Sequence, residues 1–341
     1  MKIGIFTSFT NEYLRVVKAC EAMNVDYEVV DILSADWVKN VQNSDCDGFF
    51  CLSCDLAQDM KSILDERYYF VSHIMHRPIY PDFTGLYIHE NKRNMAAWLE
   101  TFGYPHATTK VFTRKKDALD YLNCCEYPIV VKQNLGSGAR KVKIIKSKCR
   151  AKSMARRCFP PFNLHWIPFH LGLIKTTRVK HLPCIDFHNI QKDYFLVQEC
   201  VKKVRWEWRI LKIGNSYFGH QKLLNGKFAS GSGKVGWVKP PKELLLMVKD
   251  ICEKGNFPCM DVDILEDGTG RYFINELQAF FGSYLDYQMM IDGVHGRYVW
   301  KDGDFHFEEG DFNVFGSNKL KIEHFIEILS QCHQNENTIH S

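Results

Sequence analysis

MDVDILEDGTGRYFINELQAFFG, residues 260–282, is the stretch on which the reading of this chain turns. MDVDIL (260–265) and RYFINELQ (271–278) read as two strands, and Asp267-Gly268 with Gly270 forms the turn between them. Glu276 and Gln278 stand two residues apart and so point to one face of their strand. With Asp263 on the partner strand, three oxygen-bearing side chains can converge. Hard cations such as Mg²⁺ prefer oxygen ligands and usually take one or two carboxylates together with substrate phosphates. An acidic hairpin face in solvent has the same letters, but the apolar neighbours of Glu276 and the Phe280-Phe281-Gly282 run favour a buried wall.

Working back toward the N-terminus, EWRILKIG (207–214) and SYFGHQKLL (216–224) pair as a hairpin across Gly214-Asn215, and a helix spans 241–255. YFLVQECV (194–201) is a further strand. PIVVKQ (128–133) and VKIIK (142–146) flank the glycine-rich loop NLGSGARK. Lys132, at the end of an apolar strand, would supply a point charge for a phosphate, and Gly136, Ser137 and Gly138 would let backbone N–H groups approach oxygens as a lid, although the same letters equally suit a surface hairpin turn. The loop is not a Walker A loop, because its lysine precedes the glycines.

The first hundred residues alternate. KIGIFT (2–7) is a strand, 10–24 a helix with Leu14, Val17, Ala19, Cys20 and Met23 at helical spacing, and YEVVDI (27–32) and DGFFCLSC (47–54) are strands. This predicts a parallel α/β domain over 1–90. ENKRNMAAWLETFGYP (90–105) is a helix with Met95, Trp98, Leu99 and Phe102 on one face, stopped by Gly103 and Pro105. A strand at 111–112, helices at 115–123 and 318–332, and an unassigned insertion at 149–185 complete the reading. The expected units are 1–90, 91–201 and 202–341: α/β in class, α+β in the C-terminal half.

The composition is that of an ordinary globular protein, 45 % apolar and 25 % charged, which excludes a fibrous or disordered chain. No apolar run approaches the ~18 residues of a membrane helix, and the start MKIGIFTSFTNEYL lacks a signal-peptide pattern, so the expectation is a cytoplasmic protein. Its 13 cysteines have no framework spacing and are expected to be reduced. Thirteen Lys or Arg and no Asp or Glu fall between Tyr127 and Ile185. So one-signed a block normally faces an anion, whether nucleotide phosphates, a polyanionic substrate or an acidic surface, with a solvated basic face as the alternative. Arg156, Arg157, Arg178 and Lys180 lie in it, beside aromatics, but no recognised nucleic-acid motif accompanies them, and nucleic acid is not an expected partner.

Other patterns carry less. GSGKVG (231–236) matches G-x-G-x-x-G but leads into Pro240-Pro241 instead of a helix, so a substrate-covering loop with Lys234 as an anion contact is the better reading. Cys51 and Cys54 lack a second pair at zinc spacing. His73 and His76 read as structural.

In order and spacing these residues resemble the ATP-grasp superfamily, over roughly 1–310: Asn91-Lys92-Arg93 before the helix ending in Gly-Tyr-Pro, then PIVVKQNLGSGAR, FLVQECV, EWR, DVDIL and INELQAFFG. The resemblance implies an N-terminal α/β domain followed by the small and large subdomains of an ATP-grasp pair. It implies Lys92 and Lys132 on ATP phosphates, with the loop from Gly136 through Ser137 and Gly138 as their lid. Gln198, Glu199 and Val201 match the adenine-gripping linker, Glu207 the ribose-binding acid, and Arg209 the arginine that steadies phosphate or the reacting intermediate. Asp263, Glu276 and Gln278 fall on metal-ligand positions for Mg²⁺, with Mn²⁺ as a substitute. The family usually has Asn where Gln278 stands, so the ligand oxygen is displaced by about one bond length. The implied activity is ATP-dependent ligation of a carboxylate to an amine through an acylphosphate, releasing ADP and phosphate. A kinase on the same fold and an inactive nucleotide-binding module are the alternatives. Substrate identity and oligomeric state stay open, and the basic insertion is the expected contact for an anionic substrate.

Overall fold

The computed structural model describes residues 1–136, 142–159, 193–226, 229, 231–282 and 285–339. The N-terminal alternation folds as expected. β1 (Lys2–Phe6), α1 (Tyr13–Met23), β2 (Asp26–Val30), α2 (Trp37–Asn43), β3 (Gly48–Phe50), α3 (Gln58–Tyr69) and β4 (Ile79–Tyr80) form a parallel sheet of order β2-β1-β3-β4. Its central strands are apolar on both faces, as a doubly covered parallel sheet requires: Ile3, Ile5 and Phe50 pack one way, Phe6 and Phe49 the other.

Two short helices lead out, α4 (Phe83–Ile88), capped by Asp82, and α5 (Lys92–Thr101), capped by Asn91. A second sheet, of order β5-β8-β6-β7, is antiparallel: β5 (Thr109–Phe112), β6 (Ile129–Lys132), β7 (Val142–Ile145) and β8 (Phe195–Glu199). Helices α6 (Lys115–Cys124) and α7 (Lys148–Cys158) cover it, burying Ala118, Leu122, Ala151 and Ala155. The irregular insertion expected at 149–185 is thus corrected at its start. Residues 148–158 are helical because Ser147 accepts from the Arg150 N–H as an N-cap and alanines fall on the buried face. The rest of the insertion, residues 160–185 with Arg178 and Lys180, lies outside the described residues, as do 186–192.

The third layer is a large antiparallel sheet. β9 (Val204–Ile213) and β10 (Ser216–Leu223) turn over Gly214-Asn215, where Gly214 has φ +54°; β11 (Val235–Gly236) adds to β10. Helix α8 (Lys242–Gly255) precedes β12 (Cys259–Asp267) and β13 (Tyr272–Gln278), which pair with each other. β14 (Met290–Ile291), β15 (Val294–Lys301) and β16 (Asp304–Glu309) extend the far edge, and α9 (Asn318–Ile339) returns to the N-terminal sheet, placing Phe325 and Leu329 over it. The apolar core under the first sheet therefore runs without a break into the large one. No described helix is long and apolar enough to cross a membrane.

Candidate functional site

A β-bulge shapes the site. Asp263 lies opposite Glu276 and Asp261 opposite Gln278, but the register slips between Asp263 and Ile264, so Asn275 is the extra residue on its strand. A bulge re-aims side chains. Asn275 Oδ1 accepts from Lys132 Nζ at 2.9 Å, and its Nδ2 donates to Glu207 Oε1 at 3.1 Å. Lys132 ends β6 in the second sheet and Glu207 sits on β9 in the third, so one amide bridges the two layers.

Between those layers lies a pocket of about 110 Å³. Val130, Ile144, Val204, Leu224 and Leu265 give it apolar walls, and Glu199, Cys200 and Val201 border it. Lys132, Glu207, Asn275 and Glu276 form its polar end. Gln198 lines the pocket too, but its amide donates to Thr109 Oγ1 at 2.9 Å and so also ties β8 to β5. Burial pushes the Lys132 ammonium down to about 8, with Glu276 pulling the other way. Burial likewise pushes the Glu207 carboxyl up, against the pull of Lys222.

Lys92 reaches the same end from the first turn of α5. Its Nζ donates to the Gly136 carbonyl at 2.9 Å and stands 3.6 Å from Glu276 Oε1 and 3.7 Å from Glu90 Oε2. Glu90 accepts from the Gly136 N–H at 2.9 Å. Gly136 has φ +152°, a conformation that favours glycine. Asn134 clips this segment to the helix: its carbonyl accepts from Lys92 N–H, its Oδ1 from Arg93 N–H, and its Nδ2 donates to Gln58 on α3 at 2.7 Å. The segment is therefore anchored up to Gly136, and Ser137 and Gly138 lie outside the described residues.

The remaining site residues form a charged ladder on one face of the large sheet. Arg209 Nη2 lies 2.9 Å from Asp261 Oδ2, off the hydrogen-bonding direction, and Arg209 Nε donates to Asp263 Oδ1 at 3.2 Å. Lys222 Nζ closes on Asp263 Oδ2 and stands 3.6 Å from Glu207. Burial alone would raise the Asp263 carboxyl, but Arg209 and Lys222 outweigh it and hold it at about 2. Asp261, whose desolvation outweighs the pull of Arg209, is pushed up to about 7. Gln278 Nε2 donates to Glu276 Oε2 at 2.9 Å. His220, opposite Arg209, is pushed down by burial to about 4 and stays neutral.

The donors suit a hard cation, being all oxygen, and Glu276 and Gln278 already touch. Asp263 is adjacent but carries two cations of its own. A wider pocket of about 350 Å³ opens from this end toward the first sheet, with Arg15, Ser53, His89, Glu90, Gln278 and Phe281 among its walls. His89 Nδ1 is buried without a hydrogen-bond partner among the described residues, and burial pushes its imidazole down to about 3.

Sequence reasoning brought Lys92, Lys132, Gly136, Glu207, Arg209, Asp263, Glu276 and Gln278 to one place, and missed Glu90, Asn134, Lys222, Asp261 and Asn275. The weaker patterns stay apart from it. Val235-Gly236 is a strand on β10, not the mouth of a helix, and Lys234 is exposed. Cys51 and Cys54 are buried free thiols. His73 stacks on Tyr69 at 5.0 Å, and Arg156 and Arg157 are exposed on the last turn of α7. Glu28, Asp45 and Cys46 also cluster, but Lys2 already pairs with both carboxylates.

No protein-family model matches the chain, and no curated protein matches it in sequence. Solved structures do match in fold. A D-alanine–D-alanine ligase from Bacillus anthracis superposes with a TM-score of 0.54 at 15 % identity, covering 98 % of this chain and 99 % of its own. A D-cycloserine synthetase reaches a TM-score of 0.59 at 14 % identity, covering 96 % and 100 %. An N5-carboxyaminoimidazole ribonucleotide synthetase, solved as its ADP complex, gives 0.54 at 14 % identity over 82 % of this chain and 70 % of its own.

Proposed function

We propose that this chain, which has the ATP-grasp fold, is an ATP- and Mg²⁺-dependent ligase that joins a carboxylate to an amine through an acylphosphate. The observation that carries the reading is the meeting, in one cleft, of two buried lysines from different elements with the Glu276–Gln278 pair. The similar folds named above include a ligase and two synthetases, one of them an ADP complex, and these support the general kind of reaction.

In this reading the adenine lies against Val130 and Leu265, the Glu199–Val201 edge borders it, and Glu207 takes the ribose. Lys92 and Lys132 hold the triphosphate, with the segment at Gly136 beside it. Glu276 and Gln278 would hold the magnesium ion, which when bound offsets charge on the phosphates. The acid sits in the wider pocket, where its carboxylate oxygen attacks the γ-phosphorus in line. The bond to the bridging oxygen breaks and ADP leaves. The amine's lone pair then attacks the acyl carbon, inorganic phosphate departs with the C–O electron pair, and the amine proton passes to it or to water. Arg209, set between Asp261 and Asp263, is the donor for the oxyanion of that step.

The test is ADP release with Mg·ATP and paired panels of acids and amines. The ligase reading requires turnover that needs both partners and falls at least about a hundredfold in Lys132→Ala. Turnover with a single acceptor and a stable phosphorylated product would instead establish phosphoryl transfer. If Mg·ATP fails to raise the melting temperature of the native chain, the cleft is not a nucleotide site.

A further inference from the structure

We propose that Lys222 is a built-in cation at Asp263, so that the cleft takes one divalent ion with its nucleotide, at Glu276 and Gln278. This rests on the nucleotide-site reading above. Asp263 is 1 % exposed, and both its oxygens face cations: Oδ1 accepts from Arg209 Nε at 3.2 Å, and Oδ2 meets Lys222 Nζ with Arg209 Nη2 at 3.5 Å. Lys222 is not a surface lysine swung inward. Its Cα lies in register opposite Glu207 on one side and Val235 on the other, so the β9–β10–β11 ladder fixes where it stands. Glu207 Oε1, 3.6 Å away, holds it from the second side.

Glu276, directly across from Asp263, is placed differently. Its hydrogen-bond partner is the neutral Gln278 amide, and the nearest ammonium, Lys92, stands at 3.6 Å from the other oxygen. Among the described residues the cleft sets the carboxylates Glu90, Glu207, Asp261, Asp263 and Glu276 against Lys92, Lys132, Arg209 and Lys222, close to balance before any ion arrives. An ion drawn to Glu276 meets a carboxylate whose paired ammonium, Lys92, stands at 3.6 Å and is shared with Glu90. One drawn to Asp263 must stand against two cations at contact distance in a site shielded from water, where like charges repel strongly.

The experiment counts Mn²⁺ bound per chain from the paramagnetic signal of the free ion, with a non-hydrolysable imido analogue of ATP at saturation. The native chain should bind one Mn²⁺. Lys222→Met should bind two, because Asp263 then lacks its ammonium, while Lys222→Arg should stay at one. Asp263→Asn should keep its single ion with less than about a tenfold loss of affinity, below the range that even outer-shell changes to a metal site produce. Two ions on the native chain, or a larger loss in Asp263→Asn, overturns the proposal. These two measurements decide it even where Lys222→Met does not fold. Failure of the analogue itself to bind, read by equilibrium dialysis, overturns the nucleotide-site reading and the proposal with it.

Discussion

Lys132 must be charged to hold a phosphate, yet burial holds its ammonium near 8, below the ordinary 10.5. An arriving triphosphate favours the charged form and raises that value. Between the two, binding takes up a proton, and because the charged lysine is then the bound form, affinity weakens as pH rises. We expect the Kd for Mg·ATP to climb by up to about tenfold per unit above pH 8. Calorimetry in two buffers of different ionisation enthalpy should detect the proton, and Lys132→Arg should flatten the profile. Lys132 itself is only partly legible in the sequence: a lysine closing an apolar strand before glycines also suits a surface hairpin turn, and only its order among the other segments points to the cleft. Lys222 is half legible: stepping outward from the Gly214-Asn215 turn puts it opposite Glu207, but nothing in the letters says that this strand face is buried. Asn275 is not legible, because its role depends on a register slip that alternation of letters does not encode.

At the scale of elements, the bulge and the clip at α5 position the residues of the cleft. Asn275→Ala removes the amide that spans two sheets, leaving the buried ends of Lys132 and Glu207 each short of a hydrogen bond. We expect a loss of about 1–3 kcal/mol by urea unfolding, together with weaker nucleotide binding. The contact between α3 and α4 gives a separate case. Lys61, 1 % exposed, pairs with Asp65 at 2.7 Å and donates to the Leu86 carbonyl. Lys61→Met strands a carboxylate that burial already pushes up to about 6, and should cost about 3–5 kcal/mol without moving the nucleotide Kd. Most of these elements follow from periodicity and turn letters. The start of the basic insertion did not, because alanines spaced along α7 carry little apolar signal although they pack well beneath it.

Across the whole molecule, the decisive packing joins the two ends of the chain. A Cβ on Gly48 would lie 2.8 Å from Leu329 Cδ2 and from Phe325 Cζ and 3.1 Å from the Pro78 carbonyl. Gly48→Ala should therefore lower stability by about 1–3 kcal/mol, read from the denaturant midpoint, with nucleotide affinity unchanged. The sequence makes three layers plausible through strand order and glycine loops. It does not disclose that the last helix belongs to the first sheet, since no local pattern records a contact across so much chain.

That last contact sets a timetable for synthesis. The face of the first sheet that carries Ile3, Ile5 and Phe50 is completed by Phe325 and Leu329. At about 5–20 residues per second, a ribosome needs roughly 15 to 55 s to travel from one to the other. For that interval the nascent chain holds an open apolar face, and helpers that shield such surfaces during translation are the proteins most apt to meet it.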